Sequence, residues 1–79
     1  MKCFLISEND AHVSAFRQMG VESFLADSNE TAINEVQRAI SCRKIGTLIL
    51  SERVREASKS VLDSHLESGR LPFVMTLNG

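Results

Sequence analysis

The stretch Gly46 to Glu52 reads GTLILSE, and its Thr47, Leu48, Ile49 and Leu50 run on without polar alternation. A strand with one wet face alternates, so an unbroken run points to an inner strand of a parallel sheet with helices on both faces. Gly46 is placed to end a preceding helix, and Ser51 to cap a following one by accepting from a backbone N–H two or three residues on. Strand, turn and helix start thus follow one another closely. No Asp, Cys or Gly-rich loop follows the strand to carry chemistry.

At 79 residues the chain makes one small domain, a size that buries only about 60% of its unfolded surface. Its 43% hydrophobic and 24% charged residues are too apolar for intrinsic disorder. A net charge of -1 gives nucleic acid no strong electrostatic hold. The absence of Trp and Tyr argues against aromatic platforms for single-stranded bases. No apolar run approaches the ~18 residues of a membrane span, and no signal-peptide pattern opens the chain, so a cytoplasmic location is expected. Cys3, in the first apolar run, and Cys42, on a helical stretch, read as reduced and structural. They form no CxxC and no zinc spacing.

Taken in order, Lys2 to Ser7 (KCFLIS) reads as a second inner strand. Asp10 to Met19 reads as a helix capped by Asn9 or Asp10, with Val13, Phe16 and Met19 on one face and Gly20 as its stop. Val21 to Ala26 alternates and predicts an edge strand. Asp27 and Glu30 have capping-box spacing, with Ser28 a competing cap, and open a helix that runs to Lys44. Its stripe is Ala32, Ile33, Val36, Ala39 and Ile40. A third helix spans Glu52 to Ser68, with Val54, Ala57, Val61, Leu62 and Leu66 inward and Arg53, Arg55 and Lys59 on a solvated face. Leu71 to Leu77 is the last strand, led by Pro72, after which Asn78 and Gly79 leave the sheet.

Alternating strands and helices with short connections predict an α/β domain. Its small four-stranded parallel sheet has order 2-1-3-4, with helices on both faces, as in a truncated flavodoxin or Rossmann-like fold. Ligands of such sheets gather at the carboxyl ends of the strands. The residues there are Ser7, Glu8, Asn9, Asp10, Ser51, Glu52 and Arg53. No glycine in Ser7–Asp10 lets a backbone close on a phosphate. His12 and His65 have no metal-partner spacing and read as packing histidines. Ser51 has neither a base nor an oxyanion hole supplied by spacing, so a plain cap accounts for it. The expectation is therefore no catalytic, cofactor-binding or metal residues, with Ser7, Glu8, Ser51, Glu52 and Arg53 as partner-binding residues.

Glu8 and Asp10 resemble the acidic pair that holds magnesium in response-regulator receiver domains. Ser51 stands where a receiver has its aspartate nucleophile, however, and the receiver's lysine is missing. A broader resemblance covers nearly the whole chain. The acidic turn Ser7–Asp10 leads into Ala15, Phe16, Arg17, Gln18, Met19 and Gly20, which is similar to the Gly-Phe-Arg-Leu-Ala-Gly segment of the F subunit of the V-type (A-type, archaeal) ATP synthase. Gly46 to Glu52 is similar to that family's Gly-Ile-Ile-Leu-Ile-Thr-Glu, and Leu71 to Leu77 to its Pro-led final strand. Ser7 and Ala15 stand where members commonly have glycine, and Gln18 replaces an apolar residue.

The resemblance implies a non-catalytic central-stalk subunit of a rotary ATPase that docks on the coiled-coil shaft, the D subunit. It implies a monomer when alone, no cofactor, and a place in the soluble sector peripheral to the membrane, with catalysis left to other subunits. The family's C-terminal tail along the shaft is expected to be absent, since the sequence stops at Gly79. A receiver-like signalling domain or small-ligand binder lacking the phosphoacceptor aspartate is the alternative.

Overall fold

The computed structural model describes residues 1–78. Strand β1 (Lys2–Ser7) leads into α1 (Asp10–Gln18), β2 (Glu22–Leu25), α2 (Asn29–Ile40) and β3 (Ile45–Ser51). Helices α3 (Glu52–Ala57) and α4 (Lys59–Ser68) follow, and β4 (Phe73–Leu77) completes the sheet. All pairings are parallel and the order is β2-β1-β3-β4, as the apolar runs predict. Asn78 leaves the sheet, and Gly79 lies outside the described residues.

The main core lies on one face of the sheet. Phe4 and Ile6 of β1 and Leu48 and Leu50 of β3 meet Ala32, Val36 and Ala39 of α2, Val54 of α3 and Leu62 of α4. Helices α2, α3 and α4 pack on one another over this face. The opposite face has only α1, which packs against β1 and β2. There Leu5 and Val13 are buried outside the main cluster. Right-handed crossovers explain the asymmetry. The step from β1 to β2 runs one way along the sheet, and the steps to β3 and β4 run the other way, so their helices fall on opposite faces.

Several local expectations are corrected. Gly46 does not end a helix: α2 stops at Ile40 with Ser41 as C-cap, and Arg43 and Lys44 lie in the turn before β3. Gly46 sits inside β3 at a register irregularity, where Lys2 pairs with Ile45 and Cys3 with Thr47. A Cβ there would meet Met1 Cβ at 2.8 Å. The α2 capping box is Ser28 with Thr31, not Asp27 with Glu30, because each of that pair bonds the other's backbone N–H. Asp27 instead accepts from Thr31 Oγ1.

The expected helix over 52–68 is two helices joined at a bend. Ser58, at φ -102 and ψ 13, leaves the α region, while its N–H bonds Val54 O and its C=O takes the N–H of Leu62. The bend lets both helices pack on α2. Met19 and Leu66, expected inward, are exposed. Leu71 and Pro72 precede β4 rather than belonging to it. Arg55 is not simply solvated, since its Nη1 donates to Thr76 Oγ1 at 2.9 Å and ties α3 to β4. Gly20, at φ 85 just past α1, does stop its helix in the left-handed conformation.

Candidate functional site: a structural rim and an open sheet face

The carboxyl ends of β1 and β3 lie side by side, which brings Ser7, Glu8 and Ser51 together. Ser51 is buried and ends β3, and its extended backbone turns the chain into α3. Its Oγ accepts from Val54 N–H at 3.2 Å and donates to Glu8 Oε1 at 2.5 Å. Both capacities of the hydroxyl are thereby used. That bond from Ser51 is the main reason the Glu8 carboxyl sits below the ordinary glutamate value. Partial burial opposes the shift, and Glu8's own backbone N–H and the charges of Arg53 and His12 add to it.

Ser7 is buried as well. Its Oγ accepts from Asn9 N–H at 3.0 Å and is hydrogen-bonded to His12 Nδ1 at 3.0 Å. Asn9 caps α1 by accepting from Ala11 N–H at 2.8 Å. His65 pairs with Pro72 O at 2.8 Å, so both histidines hold a helix to a neighbouring segment. Of the five expected partner-binding residues, Ser7 and Ser51 face inward, while Glu8, Glu52 and Arg53 are exposed.

Beside them a half-open cleft of about 550 Å³ is lined by Glu8, Asp10, Asp27 and Arg53 above an apolar floor of Ala26, Ala32 and Val54. Among the described residues, no group of three or more His, Cys, Asp or Glu side chains is placed to hold a metal ion. Cys3 and Cys42 are free, Cys3 on the surface and Cys42 in the turn after α2.

The feature not anticipated is the sheet face that α1 leaves open. Thr47 and Ile49 of β3 register with Phe73 and Met75 of β4, on the same face as Leu5 under α1. Thr47 and Ile49 are half-buried, whereas Phe73 is 69% and Met75 57% exposed. The crossover rule would have found this face. Three strand-to-strand steps in order 2-1-3-4 place only one helix on that side, beside β1 and β2.

Among the described residues no helix is long and apolar enough to cross a membrane. No curated protein matches the chain by sequence. Among solved structures, the crystal structure of the F subunit of the V-type ATP synthase from Archaeoglobus fulgidus is similar. The two share 13% identity and a TM-score of 0.83 over 98% of this chain and 96% of that one. At that identity the likeness speaks for the fold. The family model for the ATP synthase (F/14-kDa) subunit matches residues 4–79. The chain belongs to the ATP synthase (F/14-kDa) subunit family.

Proposed function

We propose that this protein is the non-catalytic F subunit of a V-type ATP synthase, docked on the D subunit of the central shaft and turning with it. It would lie in the soluble sector, peripheral to the membrane, and help couple ATP hydrolysis or synthesis at other subunits to ion transport. One observation carries this reading. The two buried serines at the carboxyl rim, where a doubly wound sheet usually performs its chemistry, are engaged in holding the fold. Ser51 caps α3 and bonds Glu8, and Ser7 bonds Asn9 and His12. A rotor accessory needs a stiff body and an adhesive surface rather than a reactive centre. Of the five rim residues expected to meet a partner, Glu8, Glu52 and Arg53 are the exposed ones.

Co-expression with the D subunit of the same complex, followed by size-exclusion chromatography, tests the proposal. A stoichiometric complex is expected. Separate elution at micromolar concentration would count against it.

A further inference from the structure

We propose that the free edge of β4 pairs with β4 of a second copy of this chain, antiparallel about Met75, so that two four-stranded sheets join into one. The inference goes beyond the proposed function. It replaces, for the chain on its own, the monomer that the family resemblance implies. Among the described residues β4 pairs with β3 alone, so the N–H and C=O groups on its outer side meet no strand.

The two edges of the sheet are guarded differently. At β2, Glu22 is charged and ion-paired with Lys2 at 2.8 Å. Arg17 Nη2 donates to Ser23 O at 3.2 Å, and Ser23 Oγ donates to Val21 O at 3.1 Å. Charges on an edge strand discourage pairing with another chain, and these donors already occupy two of its carbonyls. The β4 edge has no such guard. Its five residues, FVMTL, include no charge, proline or glycine, and the bond from Arg55 goes to the Thr76 hydroxyl, not to the backbone. Apolar surface also collects here. Of the seven large hydrophobic residues exposed among the described ones, Leu66, Leu71, Phe73 and Met75 fall within ten positions, so this edge gains most from being covered.

The strand is its own complement. Turned about a two-fold axis at Met75, it sets Phe73 against Leu77 of the second copy, Val74 against Thr76 and Met75 against Met75. Phe73, Met75 and Leu77 share one face, so an apolar row runs across the seam. Val74 and Thr76, both half-buried, pair on the helix side. Directly opposed side chains lie about 5 Å apart, and an isologous contact of this kind closes at two copies. The hollow between α3 and α4 beside Arg55 carries Lys59 with Glu56 and Asp63, so its two signs balance and the helices bring no net repulsion. A foreign strand would need to be uncharged at the same positions, whereas a second copy meets that condition by construction.

Analytical ultracentrifugation of the full chain tests the pairing. The wild type should pass from monomer toward dimer between about 1 μM and 1 mM, the span of a small interface. Met75→Lys and Met75→Glu each set like charges face to face on the axis and should weaken dimerisation by about tenfold or more. Met75 is exposed, so their melting temperatures at the dilute end should stay close to wild type. Mixed in equal amounts, the two variants should associate again, because opposite charges then meet. Met19→Lys, at an exposed position beyond α1, should dimerise as wild type.

A wild-type chain still monomeric at about 1 mM, a dimer that persists in both Met75 variants, or a mixture no more associated than its components would overturn the inference. Each of these results leaves docking on the D subunit standing, since co-elution tests that separately.

Discussion

Ser51 Oγ reaches Glu8 Oε1 at 2.5 Å, joining the ends of β1 and β3 through side chains 43 positions apart. The same oxygen caps α3 through Val54 N–H. Ser51→Ala removes both bonds and should cost about 0.5–2 kcal/mol, the usual loss for an N-cap. Urea unfolding measures it. Ser51→Thr should recover most of the loss. Ser51→Asp should not, because it keeps a cap acceptor but sets a carboxylate against Glu8.

Acid should destabilise the protein partly through Glu8. Its folded value lies below the ordinary glutamate value, chiefly through the Ser51 bond. Such a group binds fewer protons folded than unfolded, so its contribution is complete above the unfolded value and is lost as pH falls through the folded one. Glu22 shifts the same way, through its hydrogen bond from Lys2 and then that residue's charge, but it is exposed and screened. Stability should therefore decline below about pH 4.5. Glu8→Gln should flatten that decline in denaturant midpoints measured across the window.

Ser58 carries the opposite expectation from Ser51. Its hydroxyl is buried at the α3–α4 bend and is the one fully buried side-chain polar atom without a partner among the described residues. An unpaired buried hydroxyl is costly, so Ser58→Ala should raise stability by about 1 kcal/mol. Thermal unfolding of the two proteins side by side checks the sign. A loss would mean that the hydroxyl has a partner, such as water.

Gly69 ends α4 in the left-handed region, at φ 67. An added Cβ would meet no neighbour there, so substitution isolates backbone strain from crowding. Gly69→Ala should cost about 1–2 kcal/mol in chemical denaturation, and Gly69→Asn less, because asparagine tolerates this conformation better.

Features written in short-range chemistry were legible in the sequence. Leu48 and Leu50 marked an inner strand, Ser51 a cap and Gly20 a stop, and the graded polarity of the strands placed β2 at the edge. Sequence misleads where two physical causes leave one signature. Gly46 follows a basic turn much as a helix-ending glycine would, yet it fills a strand position where Met1 crowds out a side chain. Ser58 bends a helix without a Gly or Pro to announce it.

The rim was legible as a place but not as a set of contacts, since Ser7 and Ser51 turn inward. Phe73 and Met75 show the same difficulty at the surface. An apolar strand looks alike in sequence whether its own chain covers it or a partner does. Only the handedness of the crossovers separates those cases.

Adhesion to a partner, rather than chemistry at the carboxyl rim, is decided by NMR shift mapping of the labelled chain during titration with the D subunit. Saturable changes should include the exposed rim residues Glu8, Glu52 and Arg53, with none at buried Val36. Unmoved resonances throughout that titration, with magnesium or a phosphodonor alone shifting Glu8, Asp10 and Ser51, would contradict it.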